Sequence, residues 1–321
     1  MYANGMVMTI IASRENADIG SVCRTAKIGF FCRLEDTDTG QEFLMGSTAN
    51  ILQVDVEDWY MDLDIGSWDQ YEDRIVEATS RLLSILEETG NTATFFTLGY
   101  VAERFPDLLG KVREHGHEIG SHGYGHKPLQ DMSPAEFEED VMRSKRIIED
   151  LSGQRVLGYR APFFTLTEGT AWALDIIERC GFVYDSSIFP VRTHLYGMPD
   201  APRFPYRISS SNIKKDDPEA HLLEFPLSVF VLPGIRRNIP VAGGFYLRLF
   251  PYEFLYYAIK RINGADEPAV CYLHPWDLDP GKPVIDGLRW YHYFRLSAAE
   301  RKLRKMLRDF RFISTREYIE Q

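Results

Sequence analysis

From residue 49 to about 190, apolar positions alternate between short β-rich runs and longer stretches at helical spacing. Ile51-Leu52-Gln53-Val54-Asp55-Val56 predicts a strand. Residues 71–89 place Ile75, Leu82, Leu83 and Leu86 on one helical face, and Gly90 can close that helix. Thr92 to Leu98 is β-rich, Pro106 to His115 reads as a short helix, and His117-Glu118-Ile119-Gly120 as a short strand. Ser133-Pro134-Ala135-Glu136 is a capping box with proline at the first helical position, so a helix runs to about Leu151. Arg155 to Arg160 predicts a strand, Thr167 caps a helix through Ile177, and Phe182 to Asp185 is the next strand. This order predicts parallel strands joined by crossover helices, in an open sheet or a barrel. In such folds the site lies at the carboxyl ends of the strands. Asp55 to Asp58, His122 to His126, Arg160 and Asp185 all fall there.

The second half is less regular. Tyr206 to Glu219 is polar and reads as a loop, and a strand starts near Glu224. Tyr252 to Ile262 is a helix, and the apolar strand Ala269 to Leu273 delivers His274. Ser297-Ala298-Ala299-Glu300 reads as a second capping box, opening a terminal helix. Residues 1–48 have no sustained periodicity. They are expected to be an irregular extension, with the natural start near Met45. Residues 49–321 then form a single catalytic domain.

Composition narrows the function. A net charge of −11 argues against a nucleic-acid partner. The four cysteines, Cys23, Cys32, Cys180 and Cys271, lack C-x-x-C spacing and suggest neither a disulfide framework nor a thiolate metal site. No apolar run approaches the roughly 20 residues of a membrane helix. The N-terminal Met-Val-Met-Thr-Ile-Ile-Ala run lacks a basic flank, so a cytoplasmic location is expected. Trp290-Tyr291-His292-Tyr293-Phe294 suits core packing, a glycan groove or a dimer interface, which leaves a homo-oligomer open.

The chemistry centres on Ser121-His122-Gly123-Tyr124-Gly125-His126, two histidines at H-x-x-x-H spacing in a glycine-rich loop. Two imidazoles and a carboxylate suit a catalytic divalent metal with open positions. Asp55, Glu57 and Asp58 form an acidic cluster that a cation would neutralise. On a strict strand, 55 and 57 share a face while 58 points away, although a twisted strand end can bring neighbours together. His274 suits a general acid, and the planar fork of Arg160 suits a carboxylate. Asp62, Asp64 and Asp69 read as surface residues and His117 as strand packing. Gly243-Gly244-Phe245-Tyr246 lacks the spacing of a nucleotide site.

These residues resemble the NodB-type polysaccharide deacetylases, carbohydrate esterase family 4. Asp55-Val56-Glu57-Asp58 resembles the family's T-F-D-D motif, and His122-Gly123-Tyr124-Gly125-His126 approximates H-[ST]-x-x-H. Arg160-Ala161-Pro162 matches R-x-P, Phe182 to Ser187 resembles the fourth motif, and Leu273-His274-Pro275 the fifth. Together with E-F-P-L-S, G-G-F-Y-L-R and H-P-W, the pattern looks most like a subgroup accompanying exopolysaccharide and exosortase loci, and is also similar to intracellular peptidoglycan deacetylases. The resemblance implies a distorted (β/α) barrel of about seven parallel strands. It implies hydrolysis of N-acetyl groups on a glycan with one divalent metal ion, Zn²⁺ foremost, with Co²⁺, Ni²⁺ or Fe²⁺ as alternatives. Asp58, His122 and His126 would be the ligands, Glu57 or Asp55 the base, His274 the acid, and Arg160 the group that orients the base. Tyr124 or Phe163 would offer a backbone N–H to the oxyanion, and Trp276 with Phe163 or Leu273 would wall the acetyl methyl. Pro162 and Asp185 would join them at the substrate. Two departures stand out: Glu57 in place of aspartate, and Gly123 in place of Ser/Thr. Aligning the acidic motif as D-x-D instead makes Asp55 the base and Glu57 the ligand. A small-amide or ureide C–N hydrolase and an inactive glycan-binding protein are the competing readings.

Overall fold

The computed structural model describes residues 48–193, 197–232 and 237–321. The expectations for the N-terminal extension, the start near Met45, Cys23 and Cys32 lie outside the described residues.

The first strand, β1 (Asn50–Val56), is buried along its whole length. Its neighbours in the sheet are β2 (Thr94–Thr97) and β10 (Val270–Leu273), both parallel to it. Outward from β2 follow β3 (Glu118–Ser121), β4 (Gly158–Tyr159), β5 (Tyr184–Asp185) and β7 (Leu223–Glu224), each parallel to the one before. The two-residue β6 (Tyr206–Arg207) adds an antiparallel edge, and β11 (Phe312–Ile313) pairs with the start of β1. A separate hairpin joins β8 (Val229–Val231) to β9 (Asn238–Pro240). Seven parallel strands thus run in sequence from β10 to β7, matching the expected distorted α/β barrel. The sheet curls far enough for Ser228 to reach β10. Its N–H donates to the Val270 carbonyl at 3.0 Å, and its Oγ accepts from the Val270 N–H at 2.8 Å. Inside the curl pack Ile51, Phe96, Phe189, Phe225, Leu227 and Val270.

The crossover helices follow the apolar spacing. α1 (Ile75–Thr89) buries Ile75, Leu82, Leu83 and Leu86 and ends at Gly90, whose φ of 66° needs a residue without Cβ. α2 (Gly99–Arg104) and α3 (Pro106–Glu114) precede β3. α4 (Pro134–Ser152) opens on the expected capping box, with Ser133 Oγ accepting from the Glu136 N–H and Glu136 Oε2 accepting from the Ser133 N–H. α5 (Trp172–Arg179), α6 (Gly244–Leu249), α7 (Tyr252–Asn263), α8 (Ala299–Asp309) and α9 (Thr315–Ile319) complete the helices used below.

Two local expectations change. Residues 206–219 are not all loop, because Tyr206 pairs with Glu224; a two-residue strand is too short to carry a period. Ser297 does not cap α8. It sits inside a tight turn, Leu296–Ala298, while Glu300 turns to Arg304 and Arg81 instead of back to the Ser297 backbone. Among the described residues, no helix is long and apolar enough to cross a membrane.

Register fixes where the site forms. Val54 lies opposite Leu273, Val56 opposite Thr97, Thr97 opposite Ser121, and Ser121 opposite Tyr159. The residues after these strand ends therefore gather on one rim: Glu57, His122, Arg160 and His274.

Candidate active site

The rim brings Glu57, His122 and His126 together. One atom from each lies within 4.8 Å of the others, and all three side chains are buried. His126 Nε2 is 2.7 Å from Glu57 Oε2, and His122 Nε2 is 4.0 Å from the same oxygen. The two rings are oriented from behind. His122 Nδ1 lies 2.8 Å from the Arg160 carbonyl and His126 Nδ1 lies 3.0 Å from the Met61 carbonyl. A carbonyl only accepts, so each Nδ1 carries the proton and each Nε2 presents a lone pair toward Glu57. Burial, followed by the neighbouring His126, pushes His122 down to about 3, which keeps it neutral. Burial works the same way on His126 and is the largest influence, but Glu57, Asp62 and the Met61 carbonyl together raise that ring. Glu57 Oε2 is buried without a hydrogen-bond donor. Two lone pairs and an undonated carboxylate oxygen facing one another fit a divalent cation.

Asp58, expected as the third ligand, is turned elsewhere. Its carboxylate accepts from the Trp59, Arg74 and Ile75 N–H groups at 2.8, 2.7 and 2.9 Å. The Arg74 and Ile75 groups are backbone donors that α1 leaves unpaired at its start, and the Trp59 group is the amide next along the chain. Residues 55 and 57 share a face and 58 takes the other, as strand alternation dictates. Burial lifts Asp58 to about 6 while the three amides pull it down.

Asp55 lies beside the cluster. Arg160 is fully buried, and its Nη1 donates to Asp55 Oδ1 at 2.7 Å. Its Nε donates to the Ser186 carbonyl, and its Nη2 to Ser186 Oγ and Gln53 Oε1. Its carbon lies 4.5 Å from the centre of the Phe96 ring. The guanidinium is therefore fixed, and one Asp55 oxygen with it.

His274 closes the opposite side. Its Nε2 lies 3.1 Å from Glu57 Oε1, and its Nδ1 lies 3.1 Å from Asp277 Oδ2. Burial opposes a charge on this ring, yet Glu57 first and Asp277 next raise it to about 9. Asp277 is in turn paired with buried Arg248, at 2.8 Å. Burial would raise Asp277, but Arg248 and His274 together hold it well below the usual carboxylate range. Arg248 Nη1 also donates to the Tyr291 and Phe294 carbonyls. The glycine pair at the start of α6 serves this contact: a Cβ on Gly244 would stand 1.8 Å from Asp277 Oδ2.

Other expected residues take different places. Asp185 is fully buried and bonded to Ser187 Oγ and the Ser187 N–H, beside a Glu224 that burial and Asp185 keep protonated, so it faces no substrate. The Tyr124 N–H is taken by Asp140 at 2.9 Å, and its hydroxyl donates to Glu103, which removes Tyr124 as an oxyanion donor. Pro162 opens a buried tight turn. Phe163 stays at the site, its ring centre 4.3 Å from that of His126. Trp276 is buried and stacked on His274 at 4.5 Å and 8°, so it steadies that ring. Gly123 replaces a hydroxyl residue because its φ is 74° and a Cβ would meet Asp140 Oδ2 at 2.9 Å.

Five residues at the site were not singled out as such from the sequence. Asp277 and Arg248 are described above. Asp62 accepts from His292 at 3.0 Å and lies 3.9 Å from His126 Nδ1. Lys282 sits 3.7 Å above the Trp276 ring, and burial pushes it down to about 7. The H-x-x-D spacing of His274 and Asp277 was a usable signal. Asp62, Arg248, Lys282 and His292 reach the site only through tertiary contacts.

Comparisons with known proteins follow this geometry. A family model described as polysaccharide deacetylase matches residues 56–184, and a domain of unknown function, DUF3473, matches residues 186–320. Peptidoglycan deacetylase-like protein FGM2 of Gibberella zeae is 31% identical over 150 residues, 44% of this chain and 43% of that protein. Peptidoglycan deacetylase of Helicobacter pylori is 32% identical over 108 residues, 34% of this chain and 36% of that one. The chain thus spans less than half the length of these curated relatives. A crystal structure from Mycobacterium smegmatis, provisionally assigned as a polysaccharide deacetylase, superposes with a TM-score of 0.55 at 21% identity. It covers 86% of this chain and 90% of that one, a likeness of fold.

Proposed function

Since the chain belongs, through residues 56–184, to the polysaccharide deacetylase family, we propose that it hydrolyses N-acetyl groups on the amino sugars of a glycan and releases acetate. The observation that carries this reading is the Glu57–His122–His126 cluster, flanked by Asp55 held on Arg160 and by His274 held on Asp277. Relatives that are named for acting on peptidoglycan support an N-acetylated glycan as substrate.

Glu57, His122 and His126 would hold a divalent ion, zinc best fitting two imidazoles and a carboxylate. When bound, such an ion polarises an acetyl carbonyl and acidifies a water. Asp55 takes the water proton. Arg160 engages one of its oxygens and fixes the direction of the other. The Phe163 N–H is the backbone donor proposed for the developing charge on the acetyl oxygen. His274, held on Asp277 and stacked on Trp276, gives its Nε2 proton to the departing amine. The C–N bond breaks, the C–O bond to water forms, and the amine leaves neutral.

Acetate release from N-acetylglucosamine oligomers tests this, with metal content measured on the same samples. Chelation should abolish release and Zn²⁺ or Co²⁺ should restore it. Glu57→Ala should lose the metal, whereas His274→Ala should keep it and lose kcat by roughly 10²–10⁴. Full release from Glu57→Ala would sink the ligand assignment. Metal-loaded wild type that releases no acetate from any glycan would return the small-amide reading.

A further inference from the structure

Seven large apolar side chains are exposed among the described residues, and three of them, Ile65, Val284 and Trp290, lie in the two segments beside the site. Trp290 is 66% exposed. An indole of this size left in water is the kind of feature that marks a binding surface.

Trp290 is exposed but not loose. Its ring makes edge contacts with Phe245 at 5.9 Å, Phe294 at 5.7 Å and Tyr291 at 6.2 Å. Phe245 belongs to α6, which also supplies Arg248. The backbone carbonyls of Tyr291 and Phe294 are both held by Arg248 Nη1. The same buried arginine that pairs with Asp277 therefore fixes the loop that displays the indole.

A row of rings leads from the indole back to the proposed acid. Tyr291 stacks on His292 at 4.9 Å, His292 on Trp276 at 5.0 Å, and Trp276 on His274 at 4.5 Å. On the other side of the loop, Gly287 comes up against Leu63, the residue after Asp62. The indole thus stands at the outer end of the row of rings that backs His274, in the segment that lies outside the residues matched by the deacetylase model.

We propose that Trp290 is a stacking platform for a sugar ring of the glycan other than the one being deacetylated. A pyranose offers a face of C–H groups with hydroxyls around its edge, and a flat indole held at its rim suits that face while leaving the hydroxyls in water. A monosaccharide would not reach it, so the enzyme would favour chains over single sugars. This inference rests on the glycan-deacetylase reading.

The experiment compares wild type, Trp290→Ala and Trp290→Phe on N-acetylglucosamine and on its pentamer. Direct binding of the pentamer is measured by titration calorimetry alongside acetate release. For Trp290→Ala, KM and Kd for the pentamer should rise roughly three- to tenfold, with kcat within twofold and the monosaccharide unaffected. Trp290→Phe should recover most of the loss. An equal loss on both substrates would make Trp290 a packing residue and overturn the platform, as would unchanged pentamer binding. If wild type releases no acetate, the deacetylase reading fails. The binding titration then decides the platform separately: a weakened Kd in Trp290→Ala supports it, and an unchanged or undetectable Kd in wild type and variant refutes it.

Discussion

Asp277→Asn isolates the group that holds His274. The change keeps size and shape and removes one charge. In the wild type, Asp277 Oδ2 accepts from the His274 N–H at 3.0 Å and lies 3.1 Å from Nδ1. At an effective dielectric of about 20, a charge pair at that separation attracts by roughly 5 kcal/mol. Arg248 competes for the same carboxylate at 2.8 Å, so about half of that is the share expected at the imidazolium. A loss of about 3 kcal/mol in transition-state stabilisation lowers kcat on the order of 10²-fold. The amide also offers an N–H to Nδ1, favouring the wrong tautomer, and this pushes the loss toward 10³. Arg248, 0% exposed, is left without its counter-charge, which costs about 3 kcal/mol of stability. For a domain of this size that lowers Tm by roughly 6–12 °C. The assay is kcat and KM for acetate release at matched metal occupancy, well below Tm, with circular dichroism for folding. Arg248→Met is the comparison: it should lose similar stability yet keep the Asp277–His274 contact, with kcat falling less than tenfold. Folded Asp277→Asn within threefold of wild-type kcat would refute the reasoning, as would Arg248→Met falling as far as Asp277→Asn.

Other expectations follow from the same geometry. Asp58→Ala should keep its metal and lose about 2 kcal/mol in chemical denaturation, since it orphans two N–H groups at the start of α1 and that of Trp59; loss of metal would restore Asp58 as a ligand. His117, 3% exposed and packed on Phe95 at 5.1 Å, is held by burial at about 4, against about 6.5 for a free imidazole. The unfolded chain binds the extra proton between those values. Stability from this group is therefore complete above pH 6.5 and declines as pH falls to 4, by about 3 kcal/mol in total. His117→Phe should flatten that part of the stability–pH curve, and an unchanged slope would show that His117 does not contribute.

The strand–helix alternation was legible because both periods are local. Apolar spacing in β1, α1 and α4 depends only on which face of each element meets the core. The rim location of Asp55, Glu57, His122, Arg160 and His274 was legible for a related reason: parallel strands in register put the residue after each strand at one end. The exceptions were elements too short to carry a period, such as β6, and the cap at Ser297, where Glu300 found better partners in Arg81 and Arg304.

Which carboxylate faces the histidines depended on tertiary structure. Alternation along β1 put 55 and 57 on one face, but only the arrival of the α1 backbone gave Asp58 its competing partners. Only the curled sheet brought Arg160 to Asp55, and only α6 brought Arg248 to Asp277. His292 and Trp290 stand more than 160 residues from the histidine loop in sequence, and the aromatic run that holds them left core, groove and interface open. Sequence thus determined the elements and the residues that carry charge or metal affinity, because these are properties of short segments. The fold determined which of them face each other, because a buried charge keeps only the partner that the packing delivers.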